Sequence, residues 1–332
     1  MKITRFHHFL LASAFVFSPC IASPQDDSQP ISVINPTGRL QTVQRASTLT
    51  AKDIPALRAK AEGGDAAAQG RLGRCYLAGE GVERNVEEAL RWLRKAEKRE
   101  DPAAYNTLAI CYLEGWGVEQ SRTEAIRYFQ RAAELGNPDA QCSIGQLYAM
   151  GVGVPRSPEK AFYWSRKAAD QGDPSAQTLL GVCYQAGFGV EKDERKACEW
   201  FRKSAEQGDA VAQTFLGALY LEGLGVEKNP VEAVKWFRLG AEQGERLSVY
   251  WLGVCYLEGN GVEKNPAEGV KLIRRAAEQG ETNAQFTLGN LYIKGEAVEK
   301  DLLEGLDWVF KAAEQGNEEA RKFLDNFDAS AF

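Results

Sequence analysis

The chain carries only two histidines, His7 and His8, side by side near its start. Both fall in a segment read below as a cleaved leader, so the mature protein is expected to hold none. Without imidazole, a serine or cysteine nucleophile lacks its usual general base, and histidine-ligated metal sites are closed. Carboxylates are plentiful, with 46 Asp and Glu, but helical proteins place them on solvated faces, so a pair of them says little. A recurring G-x-G-V invites comparison with a phosphate loop. It follows a helix-type pattern rather than a strand and lacks the P-loop lysine, so it reads as turn chemistry. These residues argue against an enzyme and imply no metal and no cofactor.

The seven cysteines need a separate reading. Cys20 leaves with the leader. Cys75, Cys111, Cys183 and Cys255 each stand just before a tyrosine, where Leu147, Leu219 and Leu291 stand elsewhere. Exchange with leucine marks a small buried hydrophobe. One pair, Cys183 and Cys198, flanks a single turn at similar distances. A disulfide there is the candidate bridge, provided that the two Cα atoms come within reach.

The elements that must position all of these residues are copies of one stretch. Asp209 to Gly244, DAVAQTFLGALYLEGLGVEKNPVEAVKWFRLGAEQG, recurs at a fixed period from Asp65, Asp101, Asn137, Asp173, Asp209, Glu245 and Glu281, with a partial start at Asn317. Such self-similarity is the mark of stacked supersecondary units. Within a unit, Asp209 is an N-cap, and Pro102, Pro138 and Pro174 occupy the first helical position in other copies. Ala212, Leu216, Leu219 and Tyr220 form one apolar stripe. Gly217, repeated as Gly73, Gly145, Gly181, Gly253 and Gly289, costs a helix about 1 kcal/mol against alanine, so a neighbouring helix is expected to pass too close for a side chain. Two glycines then turn the chain. A second helix starts at Asn229-Pro230, where Glu232 can close a capping box.

The pattern A-x-x-x-L-G-x-x-Y-x-x-G-x-G-V-x-K-[ND]-x-x-x-A-x-x-W-[FY]-x-x-A-A-E-x-G resembles the Sel-1-like repeat (SLR) family, a relative of the tetratricopeptide repeat. The resemblance covers roughly residues 54–327. It implies an all-α fold, a right-handed superhelical α/α solenoid of seven 36-residue helix-turn-helix repeats with terminal capping helices, used as an adaptor for protein complexes. It also implies export, since bacterial members often act in the envelope. The cysteine-rich branch of the family links the two helices of each repeat by a disulfide. Its second cysteine would fall where Ala132-Ala133 stand here, so that scheme does not carry over. Cell-wall or β-lactam processing, proposed for that branch, is the alternative function; self-assembly of solenoid ends is another.

In chain order, residues 1–23 read as a signal peptide: Lys2 and Arg5, an apolar core from Phe9 to Phe17, and a small-residue site that places cleavage near Ala22 or Ser23. The apolar run is short for a membrane span, and the product is expected to be periplasmic or secreted. Residues 24–52, rich in Pro, Ser, Thr and Gln, read as a disordered linker. The solenoid follows as one continuous domain over 53–328, closed by a capping helix at 317–327. The formal charge of −6 becomes about −8 once Lys2 and Arg5 leave with the leader, and an acidic protein without a basic run is a poor ligand for phosphate backbones. The expected partner is a protein or peptide, bound by a monomer or a weakly self-associating chain.

Two surfaces compete for that partner. By analogy with tetratricopeptide repeats, the first helices line a concave face, where the inward slots hold Asn106, Leu113, Glu114, Gln146, Gln185, Leu221, Glu222, Tyr250, Leu257, Glu258, Asn290 and Lys294. The other is the turn edge, where Trp116, Val152, Phe188 and Leu224 stand between paired glycines and would align into an apolar ridge or fold back on their own repeats. Repeat six, with Ser248-Val249-Tyr250-Trp251, departs most visibly from the pattern, as repacking or as an anchor pocket.

Overall fold

The computed structural model describes residues 49–327. The leader, most of the expected linker and the last residues of the chain lie outside that range. Sixteen helices and no strands occur among the described residues. They are α1 (Ile54–Glu62), α2 (Ala66–Ala78), α3 (Val86–Glu97), α4 (Pro102–Glu114), α5 (Arg122–Glu134), α6 (Pro138–Met150), α7 (Pro158–Asp170), α8 (Pro174–Ala186), α9 (Glu194–Glu206), α10 (Ala210–Glu222), α11 (Pro230–Glu242), α12 (Arg246–Glu258), α13 (Pro266–Glu278), α14 (Thr282–Lys294), α15 (Leu302–Glu314) and α16 (Glu318–Asp325). Where the uniform repeat suggested one continuous domain, the chain groups into two compact units divided between Trp200 and Phe201, inside α9.

The helix boundaries follow the capping chemistry. Asp65, Asp101, Asn137 and Asp209 each accept a hydrogen bond from the backbone N–H three residues on, and Asn85, Ser121, Ser157, Asn229 and Asn265 do the same for the second helices. Each cap satisfies one of the otherwise orphaned donors of a first turn. The capping box expected at Glu232 is only half made: its N–H binds Asn229 Oδ1 at 3.1 Å, but its side chain turns outward to Lys235 at 2.7 Å.

In the first unit each first helix packs on its own second helix (α2 on α3, α4 on α5, α6 on α7), each second helix packs on the next first helix, and first helices also touch one another, α2 with α4 and α6 with α8. In the second unit α10 to α16 repeat the scheme. The recurring helical glycine does what its helix-breaking cost implied. At Gly289 a Cβ would lie 2.7 Å from the Gly305 carbonyl oxygen, across the crossing of α14 and α15. The second glycine of the turn answers a different demand. Gly261 has φ +73°, and a Cβ there would stand 2.1 Å from the Pro230 carbonyl oxygen at the start of the preceding repeat's second helix. Gly189 meets the Pro158 carbonyl oxygen in the same way, while Gly117 and Gly153 face side chains of the preceding repeat, so the G-x-G is structural.

Residues 49–52, counted with the linker above, belong to the fold. Asp53 Oδ2 accepts from the Thr50 N–H at 2.8 Å and from its hydroxyl at 2.7 Å. Leu49 packs with Ile54, Leu72 and Trp92 in the apolar cluster that closes the first repeat.

Candidate partner-binding surface

Two side-chain ladders join successive repeats within each unit. In the first, an arginine on a second helix donates to the tyrosine hydroxyl eighteen positions on, in the next first helix: Arg58 to Tyr76, Arg94 to Tyr112 (2.7 Å) and Arg166 to Tyr184 in the first unit, Arg202 to Tyr220 (2.7 Å), Arg238 to Tyr256 and Arg274 to Tyr292 in the second. Most of these guanidinium groups also lie over the tyrosine ring, as Arg202 does at 5.5 Å from its centroid, adding cation–π attraction. In the second ladder, a buried glutamine early in five of the seven first helices, with Tyr105 and Val249 as the exceptions, donates its amide to a carbonyl at the end of the preceding second helix: Gln69 to Ala61, Gln141 to Ala133, Gln177 to Ala169, Gln213 to Ala205 and Gln285 to Ala277. These bonds, each worth about 1 kcal/mol net, hold the frame.

Repeat two breaks both ladders. Tyr105 stands in the glutamine slot and Gln130 in the arginine slot, while Tyr128 replaces the usual tryptophan and Leu135 the usual glutamine. Glu100 occupies a position that is glycine in every other copy and holds a left-handed φ of +58°, a conformation that costs a non-glycine residue on the order of 1 kcal/mol or more. Tyr105, Tyr128 and Gln130 meet at one place. They line a depression of about 320 Å³ with Glu97, Arg127, Arg131 and Glu134, and Glu100 pairs with Arg131 at its edge.

The floor of the depression is aromatic. Tyr128 stacks on Tyr112 with centroids 5.2 Å apart and tilts against Tyr105 at 5.8 Å. Arg94 binds Glu97 at 2.9 Å, Tyr128 at 2.5 Å and Tyr112 at 2.7 Å, and Tyr128 donates to the other Glu97 oxygen at 2.7 Å. Burial, and then the bond to Glu97, push the Tyr128 hydroxyl up to about 12, so it stays a neutral donor at physiological pH. Arg127 and Arg131 form the rim. Both are substantially exposed and held by glutamates: Arg127 by Glu124 at 2.6 Å, Arg131 by Glu100 and, at 3.6 Å, Glu134.

The residues picked from sequence are placed less uniformly. Asn106, Leu113 and Gln185 in the first unit, and Leu221, Tyr250 and Asn290 in the second, are all buried. They are packing residues of the first helices, because those helices lie close enough to bury the slots between them. Gln146 is half-buried and donates to Cys142 Sγ at 3.8 Å; Leu257 and Glu258 are half-buried; Glu114, Glu222 and Lys294 reach solvent. On the turn edge, Trp116, Val152 and Phe188 are half-buried and packed on the first unit's core, and Arg156 covers the Phe188 ring at 5.1 Å. Leu224, in the second unit, is half-buried as well. The candidate bridge between Cys183 and Cys198 is not formed. All six described cysteines are buried outside any disulfide, packed in the core as small hydrophobes, and burial pushes the Cys183 thiol up to about 12.

The depression was missed because the reading above followed the first helices and the most conspicuous substitution, in repeat six. Comparing the second helices slot by slot would have exposed Tyr128 and Gln130. Among the described residues, no group of histidine, cysteine, aspartate and glutamate is placed to hold a metal ion, and no helix is long and apolar enough to cross a membrane.

The Sel1 repeat matches seven consecutive segments, 66–101, 102–137, 138–173, 174–209, 210–245, 247–281 and 282–317. No curated protein matches the chain. Among solved structures, a protective antigen present in uropathogenic Escherichia coli strains, which displays an SLR fold, is similar at 35% identity and a TM-score of 0.64 over 83% of this chain and 60% of that one. The chain thus spans about three-fifths of that antigen's length. A Sel1 repeat protein from Oxalobacter formigenes is similar at 33% identity and a TM-score of 0.58, over 87% of this chain and 84% of that one. With seven repeats in register and paired helices stacked as those repeats require, the chain is an all-α solenoid that belongs to the Sel1 repeat family.

Proposed function

We propose that this chain, built of repeats that mediate protein interactions, is an exported scaffold that holds a protein or peptide partner, with the repeat-two depression as its principal anchor. The observation that carries the reading is convergence: three of the slots where repeat two departs from its siblings, Tyr105, Tyr128 and Gln130, meet at one solvent-open depression. A frame kept constant with changes focused at one accessible place is how specificity is grafted on a fold. About 320 Å³ is at the small end of ligand pockets and fits one anchoring side chain of a partner better than a metabolite. Export rests on the leader pattern of residues 1–23 alone.

The test is site-specific photocrosslinking in a bacterial host expressing the full chain. A photoreactive residue at Glu134, beside the depression, is expected to give one discrete adduct in the envelope or secreted fraction. The same residue at Glu242, the matching slot of repeat five, is expected to give none. Adducts from both positions alike, or from neither, would remove the anchor from repeat two. N-terminal sequencing of the product reads out export separately, with a start near Pro24 expected and a retained Met1 contradicting it.

A further inference from the structure

The geometry at the rim of the repeat-two depression points further, to the chemistry of the partner. We propose that Arg127 and Arg131 together grip an acidic side chain, aspartate or glutamate, on a partner polypeptide, with Tyr105 packing against the residues that flank it. This rests on the reading that the depression is the anchor, and adds what it takes.

Arginine stands four residues apart at both rim slots only in repeat two. The matching pairs elsewhere are Arg91 with Lys95, Tyr163 with Lys167, Glu199 with Lys203, Lys235 with Leu239, Lys271 with Arg275 and Asp307 with Lys311. Guanidinium presents a planar fork that matches a carboxylate in two-point contact, which ammonium does not. The spacing of four on α5 puts both groups on one face of the helix. In the free protein both arginines are already engaged by carboxylates, and by exposed ones: the Glu124, Glu100 and Glu134 side chains have relative exposures of 37%, 62% and 59%. Exposed ion pairs contribute little, so these glutamates can be exchanged for a partner's carboxylate.

The acid deepest in the site does not compete for a cation. Glu97 is claimed on one oxygen by Arg94 and on the other by the Tyr128 hydroxyl, which leaves the rim arginines as the groups with donors to offer. Glu100 supports the same reading: it accepts a left-handed backbone that glycine would adopt without cost, and its carboxylate lands on Arg131. The residue positions an internal stand-in for the ligand group, as an extended acidic segment lying across α5 would.

The probe is an array of synthetic twelve-residue peptides of mixed composition, all with amidated C-termini, read with the purified full mature chain. Bound sequences are expected to be enriched in Asp or Glu beside a bulky residue. Changing that acid to its amide should weaken binding at least tenfold, and adding salt should weaken it further. The double variant Arg127→Gln/Arg131→Gln should lose the acidic peptides at least tenfold while melting within about 4 °C of the parent, as expected when only exposed ion pairs are removed. Arg131→Lys should recover only part of the binding. Peptides that bind equally well as amides, peptides that bind only with a free C-terminal carboxylate, or no bound acidic peptide at all would each overturn the proposal. If neutral or basic peptides bind and are lost in the Tyr105→Gln/Gln130→Arg variant, the depression remains the anchor and the acidic-ligand proposal is overturned.

Discussion

Repeats two and six both depart from their siblings, and they do so in opposite ways. Around repeat six the changes face inward: Val249 forgoes the glutamine bond of its siblings, but it is buried, and its neighbours answer one another. Ser248 replaces the usual alanine and is fully buried; Gly240, at the end of repeat five, where most repeats carry alanine, makes room for it, since a Cβ there would lie 2.1 Å from the serine oxygen. The Ser248 and Thr214 hydroxyls meet at 2.6 Å, Trp251 stacks on Phe237 at 6.5 Å, and the Tyr250 hydroxyl reaches Thr287 at 3.2 Å. In repeat two the changes break frame bonds, add a left-handed non-glycine residue, and open on solvent. A departure matched by a complementary departure in the core is packing. One that forgoes frame stability at a surface depression is what a binding site requires, since functional sites are where local rules are broken.

The largest effect should come from the junction of repeats five and six. Gly240→Ala forces a methyl against Ser248 and should cost roughly 1–3 kcal/mol, the usual range for overpacking, measured as a shift in denaturation midpoint. Adding Ser248→Ala restores the alanine pair of the other repeats and should recover most of that loss, giving a large coupling energy in a double-mutant cycle. Additive costs would mean that the two changes are not a matched pair. In repeat two the sign reverses: Glu100→Gly should stabilise by about 1 kcal/mol by relieving the left-handed backbone. Loss of stability there would show that the Glu100–Arg131 pair outweighs the backbone cost.

A smaller effect separates the two regions by pH. Burial raises the carboxyl pKa of Glu245 and Glu281 in the fold. The groups facing them are Thr214, Ser248, Asn283 and Arg246, the last 3.9 Å from Glu281. A raised carboxyl pKa disfavours the ionised form in the native state, so the stability tied to protonation is present at low pH and lost as pH rises through the folded value. The Glu245→Gln/Glu281→Gln variant should therefore gain on the parent at neutral pH, with the advantage shrinking as pH falls through the carboxylate range. A constant difference in urea midpoints between pH 5 and 7.5 would contradict this.

The frame was legible because each of its parts answers one local demand: an oxygen-bearing side chain at each cap, most often Asp or Asn, a glycine where α14 crosses α15, a second glycine where the turn meets Pro230. Repetition turns such weak signals into a register. The surface was less legible because a slot's periodic position does not reveal its depth. Asn106, Gln185 and Tyr250 vary between repeats as contact residues would, yet all three are buried, so their variation reflects packing between first helices. The arginine–tyrosine ladder was written in the sequence at a strict spacing, but its meaning depends on which helices touch. Only once the ladder is seen do Tyr105 and Gln130 stand out as breaks in it.

Repeat two thus gives up frame bonds for binding. The most direct measurement is to restore it with Tyr105→Gln, Tyr128→Trp, Gln130→Arg and Leu135→Gln together, each the residue that most repeats carry, and to follow melting temperature and the Glu134 photocrosslink side by side. The melting temperature should be unchanged or raised, by about 2–4 °C for each kcal/mol regained, with the adduct lost. A lower melting temperature with the adduct intact would make repeat two another case of matched packing, like repeat six, and would contradict the account.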